Sequence, residues 1–244
     1  MNFLKRILLP AAVSLLGASQ TFAQSETEFV KAFSGEWYVF DSSFRSNGQT
    51  CSITLSQQKN AQALEASTEG CTEPLGAIET WKIVDGRILL SKEDELIAAM
   101  GGNQFRVTGE LANTDRTAVM ERAAGDGNSK KIAAALSKHK CYFVGFTQVC
   151  AETEMLRLPD IDDEVGHVTV ETLVNLNARA LPRRDAAIVG NVATGTEVKL
   201  NQCLTASDGN WCRARVGDTS IWLAMTALRM EEWPIVTFRV LQMP

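Results

Sequence analysis

Histidine is nearly absent from this chain of 244 residues, since only His139 and His167 occur. His139 lies between Lys138 and Lys140 in a basic stretch that we expect to be exposed, and His167 opens a strand. The sequence also lacks a His-Glu-x-x-His zinc motif and a Gly-x-Ser-x-Gly nucleophile turn. Its only adjacent glycines, in Met100–Asn103, are expected to form a plain loop rather than a phosphate cradle. These absences predict no catalytic residues and favour a binding protein over an enzyme.

Metal-site spacing is missing as well. The chain has no Cys-x-x-Cys, and neither histidine lies at ligand spacing from a pair of cysteines. The acidic run Pro159–Glu164 does not place a glycine and a terminal glutamate where an EF-hand calcium loop requires them. We therefore expect this run to be a solvated hinge, and we expect neither a metal nor a cofactor.

Positive charge is the scarcer sign, with 24 Lys and Arg against 29 Asp and Glu. A nucleic-acid partner requires clustered Lys and Arg to meet its phosphates. The net charge of −5 therefore argues against nucleic acid as a partner.

The first residues carry the pattern of a cleaved secretory signal over residues 1–23. Lys5 and Arg6 precede the apolar stretch Ile7–Ala18, and Thr21–Ala23 places small residues around a larger one. The apolar stretch is shorter than the roughly 20 residues that span a bilayer. No cysteine that could carry a lipid precedes Cys51. We expect a periplasmic product, neither lipidated nor spanning the membrane.

The six cysteines agree with export, because disulfides persist in oxidising compartments. Six cysteines allow 15 pairings. Spacing favours the local pairs, since each then lies within one structural unit. These pairs are Cys51–Cys71, Cys141–Cys150 and Cys203–Cys212.

The sequence after the signal divides into a β-rich segment (24–123), a connector (124–164), a second β-rich segment (165–230) and a tail (231–244). Alternating residues, with Cys51, Ile53 and Leu55 on one face, and the turn at Asp85–Gly86 predict short antiparallel strands in a barrel or sandwich. Further strands are predicted at 37–40, 80–84, 87–90, 104–107, 117–120, 167–171, 174–178, 196–200 and 211–216.

The connector is expected to hold a short helix over Lys130–Lys138 and a stapled hairpin between Cys141 and Cys150, turning at Gly145. The tail contains an apolar strand, Ile235–Val240, whose partner the sequence does not identify. Because the hinge is acidic and lacks a large apolar surface, we expect the two β-rich segments to move somewhat independently.

The first β-rich segment resembles the bacterial alkaline protease inhibitor family. The residues that carry the resemblance are Ser34–Trp37, Cys51, Cys71, Thr80, Trp81, Asp85 and Gly86. The family implies a small lipocalin-like barrel of eight strands, stapled by Cys51–Cys71, with Trp37 and Trp81 in the core. It also implies inhibition of serralysin-type zinc metalloproteases.

In that family an extended N-terminal trunk enters the protease cleft and its free amine reaches the catalytic zinc. The trunk residues here would be Gln24, Ser25, Glu26, Thr27 and Glu28. This sequence departs from the pattern, because Ser25–Glu28 is a capping box that predicts a helix beginning at Ser25.

The second β-rich segment looks like a bacterial SH3 domain. The residues that carry this resemblance are Val174–Arg179, Pro182, Ile188–Gly190, Thr194–Thr196, Trp211–Arg213 and Ile221–Leu223. Such domains often bind peptidoglycan or peptides at the cell envelope. We expect Trp211 and Trp222 in the core rather than on a ligand platform.

These observations predict a mostly β protein, with a lipocalin-like antiparallel β-barrel and an SH3-like β-barrel joined by a helical and hairpin connector. The leading hypothesis is a periplasmic inhibitor of proteases that carries an envelope-binding module. The alternative is a non-inhibitory envelope protein that binds peptidoglycan or a partner protein.

Overall fold

The computed structural model describes residues 26–60, 62–125, 127–161, 165–217 and 219–241. Strand predominates over helix, which confirms a mostly β protein. The first half forms a closed antiparallel barrel of eight strands, each paired with its sequence neighbours. They are β1 (Gly35–Val39), β2 (Cys51–Asn60), β3 (Ala63–Glu69), β4 (Thr80–Val84), β5 (Arg87–Lys92), β6 (Glu95–Gly102), β7 (Arg106–Leu111) and β8 (Thr117–Glu121). Tyr38 of β1 pairs with Glu121 of β8 and closes the barrel.

Side chains fill the interior of the barrel. Cys51, Ile53 and Leu55 alternate inward along β2 and are buried, as their period of two predicts. Trp37 and Trp81 are also buried in this core, and each indole N–H finds a backbone carbonyl. The barrel is therefore a packed scaffold in which apolar burial holds the strands in register.

The sequence analysis did not predict two strands of the barrel, β3 and β6. The prediction of a plain loop at Met100–Asn103 is wrong, because Met100, Gly101 and Gly102 form the end of β6 and pair with β7. Glycine is uncommon in strands, so the sequence pattern did not predict a strand here. Gly109 of β7 shows why small residues are needed here, since a Cβ would lie 2.2 Å from the carbonyl oxygen of Ala99.

Helix α1 (Glu26–Phe33) packs against the barrel core. Phe33 stacks between Phe29 and Trp37, with ring centroids 5.7 and 6.2 Å apart. Arg122, just beyond β8, lies 4.0 Å over the Trp37 ring and donates to the carbonyl oxygens of Ala32 and Ser34, near the end of the helix. A basic group at a helix C-terminus is favourable, so Arg122 anchors α1 to the barrel.

The second half of the chain, here the C-terminal body, contains two sheets. Its strands are β9 (Phe143–Val144), β10 (Val168–Thr172), β11 (Leu176–Arg179), β12 (Ile188–Val192), β13 (Glu197–Ala206), β14 (Gly209–Val216), β15 (Thr219–Ala224), β16 (Thr226–Arg229), β17 (Trp233–Val236) and β18 (Phe238–Val240). The larger sheet has the order β12-β11-β15-β14-β13-β10-β18, and the smaller one β16-β17-β9.

The apolar strand predicted in the tail is two strands rather than one. β17 pairs with β16 and with β9, whereas β18 pairs with β10. The chain changes sheet at Thr237, whose buried hydroxyl donates to the carbonyl oxygen of Ala224, 2.5 Å away. The tail thus completes both sheets of the C-terminal body.

The connector forms the predicted helix, α2 (Asn128–His139), and the hairpin between Cys141 and Cys150, which turns at Gly145. His139 is not exposed as expected. Its ring packs against Trp233 in a tilted arrangement, with centroids 4.3 Å apart, and edge-on against Phe143 at 5.6 Å, so it holds α2 against β17 and β9. Residues 162–164 of the predicted hinge lie outside the described residues.

All six cysteines are paired in the three local bonds that spacing favours, Cys51–Cys71, Cys141–Cys150 and Cys203–Cys212. The first joins the start of β2 to the segment after β3. The third joins directly opposed residues of β13 and β14.

Replacing both Cys51 and Cys71 by alanine is expected to lower the free energy of unfolding by about 3 kcal/mol, because the bond closes a loop of 20 residues in the unfolded chain. Urea unfolding under non-reducing conditions measures the loss. The matched control replaces Cys141 and Cys150, which enclose a loop of nine residues and should cost less. A larger loss in the control would contradict the loop-length argument.

Candidate functional site

The outward face of β7 and β8 is where the barrel meets the C-terminal body. Along these strands Val107, Met120 and Ala118 point into the barrel core, so their neighbours point out. The outward residues form the opposed pairs Arg106–Glu121, Thr108–Val119 and Glu110–Thr117. The outer face of a barrel is ordinarily polar and solvated. Here the outward-facing residues of β7 and β8 are also buried, except Glu110.

The centre of this contact is a buried ionic cluster, here called the joint, formed by Arg106, Glu121, Asp208 and Ser207. Arg106 is 1% exposed, and its Nη2 lies 2.6 Å from Glu121 Oε1 and 2.6 Å from Asp208 Oδ1. The Ser207 backbone N–H and hydroxyl both donate to Glu121, at 2.7 and 2.5 Å. One guanidinium therefore bridges a barrel carboxylate and a carboxylate of the β13–β14 turn.

The two carboxylates of the joint differ in their electrostatics. Burial alone would raise the pKa of Asp208, but the charges of Arg184 and Arg106 outweigh it and hold the pKa below its ordinary value. Burial raises the pKa of Glu121, and Arg106 and Ser207 offset this only in part. Asp208 also accepts from Trp211 Nε1 at 3.1 Å and from Arg184 Nε at 2.8 Å. Asp208 is thus the ionised hub of the joint.

Apolar and polar contacts surround the joint. Val119 of the barrel packs with residues of the C-terminal body that are all buried: Leu204, Ala206, Trp211, Trp222 and Ala224. The side-chain amide of Gln202 exchanges two hydrogen bonds with the backbone of Thr117, at 3.0 and 3.1 Å. The prediction that the two halves move independently is wrong, because their contact is buried and bonded on both sides.

A pocket opens on the C-terminal body where the stapled hairpin lies over β11, β16 and β17. It borders the joint, because Arg184 and Trp211, which both donate to Asp208, also line it. We call it the hairpin pocket. Its volume is about 220 Å³, and Phe146, Asn175, Asn177, Arg179, Arg184 and Arg229 are among its lining residues. Phe146 is 58% exposed, and the Arg229 guanidinium lies 4.4 Å from its ring centroid.

The hairpin that carries Phe146 is held on several sides. Gly145 donates to the carbonyl oxygen of Val236 at 3.0 Å, and Val144 donates to that of Val149 at 2.8 Å. Gly145 has a φ of 54°, and a Cβ there would meet Leu173 at 3.2 Å. The aromatic ring is thereby presented on a rigid turn, which reduces the entropy that binding would cost.

The pocket is cationic. Burial lowers the pKa of Arg179, and repulsion from Arg184 adds to this, while Asp185 offsets it in part. Arg179 Nη1 is held by the carbonyl oxygen of Ala186 at 2.7 Å. An aromatic face beside arginine donors suits a ligand with one apolar face and several oxygen acceptors.

The predicted site residues do not meet in one place. Glu26, Thr27 and Glu28 lie in the exposed first turn of α1, so they are helical rather than an extended trunk. Gln24 and Ser25 lie outside the described residues. Trp211 and Trp222 are buried against the barrel, as expected of core residues. The segment Val174–Arg179 does reach the hairpin pocket.

Sequence analysis missed Phe146 and Arg229 as site residues. The available signal was an aromatic residue at the tip of a disulfide-closed turn, where a purely structural turn would favour small polar residues. Arg229 carried no signal, because its partner is 83 positions away along the chain.

Among the described residues, no group of His, Cys, Asp and Glu side chains is arranged to hold a metal ion. Within the same part of the chain, no helix has the length and apolar character to cross a membrane.

Replacing Arg106 by methionine is expected to cost about 3–5 kcal/mol of unfolding free energy, because it leaves two buried carboxylates without their shared cation. Urea unfolding at neutral pH measures it. The control is Arg239→Met, which breaks a half-exposed ion pair with Glu171 and should cost about 1 kcal/mol or less. Equal effects of the two changes would show that the joint is not the main ionic contact.

Comparison with known proteins gives no family. No protein-family model and no curated protein matches the chain. Among solved structures, an NMR solution structure of lysostaphin aligns at a TM-score of 0.26 and 9% identity, covering 84% of this chain and 79% of that one. A structure of the antimicrobial peptidase lysostaphin from Staphylococcus simulans aligns at 0.25 and 9%, with the same coverage. Likeness at this level establishes neither a shared fold nor a shared function.

Proposed function

We propose that this protein is an exported, non-catalytic binding protein of the cell envelope, and that the hairpin pocket takes a segment of peptidoglycan. The observation that carries the proposal is the exposed Phe146 ring, held on a stapled turn beside Arg229 and Arg179. The ring offers a face for stacking, and the arginines offer donors to carboxylate and carbonyl oxygens.

The size of the pocket supports a polymer as the ligand. A cavity of about 220 Å³ is smaller than the roughly 300–1,000 Å³ of sites that enclose a whole small molecule. It suits one sugar ring or one or two amino-acid residues of a longer chain. Peptidoglycan presents such units repeatedly, so one unit can occupy the pocket while the rest of the polymer lies outside it.

The compartment agrees with this partner. Three disulfides that use all six cysteines indicate an exported protein. The periplasmic location and the cleaved signal over residues 1–23 belong to the proposal, as does the SH3-like character of residues 165–230. The absence of catalysis belongs to the proposal as well. The described lining residues of the pocket are arginines, asparagines, Thr237 and apolar residues, and they include no paired nucleophile and base.

Binding of the full chain to purified peptidoglycan sacculi tests the proposal. Phe146→Ala and Arg229→Ala are each expected to lower the retained fraction about tenfold, the effect of losing one well-placed contact. Co-sedimentation at physiological salt measures retention.

The matched control is Val149→Ala, which changes an exposed apolar residue of the same hairpin that does not line the pocket. It should bind like the unaltered protein. Absence of retention, or equal loss in all three variants, would overturn the assignment of peptidoglycan to this pocket.

Protease inhibition is the second candidate, and the closed barrel of eight strands with its Cys51–Cys71 bond favours it. The partner would be a secreted or periplasmic protease, above all a zinc metalloprotease. Glu26 and Thr27 line a groove of about 440 Å³ between α1 and the barrel. In this proposal the first turn of α1 would unwind to place residues Gln24–Glu28 in the protease cleft.

Titration against a serralysin-type metalloprotease, with a trypsin-like protease as control, tests inhibition. Inhibition of the metalloprotease alone, lost on deletion of residues 24–28, is the expected result if the barrel acts as its resemblance implies. Activity unchanged by micromolar protein, for both proteases, would eliminate this candidate and leave the barrel as a scaffold.

A further inference from the structure

A second cavity lies between the barrel and the C-terminal body, separate from the hairpin pocket. It has a volume of about 560 Å³, and we call it the cleft. Its barrel side is formed by the outward surface of β6 and β7, and its other side by the loop 180–183 and by β14 and β15. The joint and the Gln202–Thr117 bonds hold its two sides together.

The barrel side of the cleft includes three glycines, Gly101, Gly102 and Gly109. Gly101 and Thr108 are opposed residues of β6 and β7, and Gly102 lies next to Gly101. A Cβ added to Gly101 would meet no atom within 4 Å, so space stands open above this position. A ligand can therefore approach the backbone closely at Gly101.

Two polar side chains beside this space lack partners in the described part of the chain. Thr108 is 2% exposed, and no protein group there hydrogen-bonds to its Oγ1. Arg183 Nη1 is likewise buried without an acceptor, while the Nε of the same residue lies 3.5 Å from Asp185 Oδ1. Buried polar groups are nearly always bonded, and an unsatisfied one costs free energy.

Arg183 and Thr108 flank the same spot. An ideal Cβ on Gly102 would lie 3.0 Å from Arg183 Nη1, which places the guanidinium against the end of β6. Thr108 lies directly across from Gly101 on the neighbouring strand. Gly101, Thr108 and Arg183 therefore line the same part of the cleft.

The charged side chains that line the cleft indicate that its ligand is an anion. Arg87, Arg183 and Arg213 line it against one carboxylate, that of Glu110. Arg87 is held by the carbonyl oxygen of Ala99, and Arg213 is paired with Asp115. Among the described residues, Arg183 has one anionic partner, Asp185 at 3.5 Å, and its Nε and Nη1 donate no hydrogen bond.

We propose that the cleft binds an oxyanion, a carboxylate or phosphate group of a small ligand, seated over Gly101 between Arg183 Nη1 and Thr108 Oγ1. The guanidinium supplies charge-assisted N–H donors, and the threonine hydroxyl supplies one further donor. This site is independent of the hairpin pocket, so either can fail without the other.

NMR titration of the full chain tests the site with two probes, N-acetylalanine for a carboxylate and inorganic phosphate, each against sodium chloride at equal ionic strength. Saturable shifts of the Gly101, Gly102 and Thr108 amides with at least one probe are expected. The probe that binds more tightly identifies the anion. Shifts that chloride reproduces, or no saturable shift with either probe, would overturn the proposal.

Two variants make the test specific. Arg183→Leu is expected to lower the affinity for the anion about tenfold or more, since it removes the charge-assisted donors. Gly101→Trp fills the open space and should abolish binding, whereas Gly101→Ala, its control for folding, should retain it. Should the tryptophan variant not fold, Arg183→Leu decides alone, with the distant Arg239→Leu as its control. Unchanged affinity in Arg183→Leu would refute the site.

Discussion

The bridge that Arg106 makes between Glu121 and Asp208 is the contact on which the arrangement of this molecule depends. A buried cation needs partners on every side, because moving a charge out of water costs several kcal/mol. Here one carboxylate comes from the barrel and the other from the β13–β14 turn of the C-terminal body. Neither half alone can satisfy the guanidinium, so the two halves are held in one orientation. The specificity of the contact, more than its net strength, is what the ionic cluster contributes.

The burial of β7 and β8 follows from this contact. In an isolated barrel their outward residues would face water, and Arg106, Thr108 and Val119 would not form a coherent surface. Packed against Trp211 and Trp222, the same face becomes an internal layer of the molecule. The two tryptophans therefore join the halves, and Trp211 also lines the hairpin pocket, so the contact between the halves borders that pocket.

Rigid placement also explains why two separate cavities coexist. The hairpin pocket depends on the Cys141–Cys150 bond and on the pairing of β9 with β17. The cleft depends on the glycine-lined end of β6 and on the loop that carries Arg183. Because the barrel interior is filled by side chains, neither cavity lies inside it. The barrel positions the surfaces around it, and binding takes place outside its walls.

The sequence alone determined the elements whose signals are local. Alternation along β2, the Asp85–Gly86 turn and the short spacing of each cysteine pair are properties of a few neighbouring residues, and each was predicted correctly. The glycine-rich β6 and the division of Ile235–Val240 between two sheets were not, because strand propensity is weak where packing decides. Phe146 was seen only as part of a hairpin. What only the tertiary structure decided were the contacts between residues far apart in the chain. Arg106 contacts Asp208, 102 positions further along the chain, and Arg183 lies over Gly102. Such contacts depend on how the two halves pack, so the local sequence pattern does not predict them.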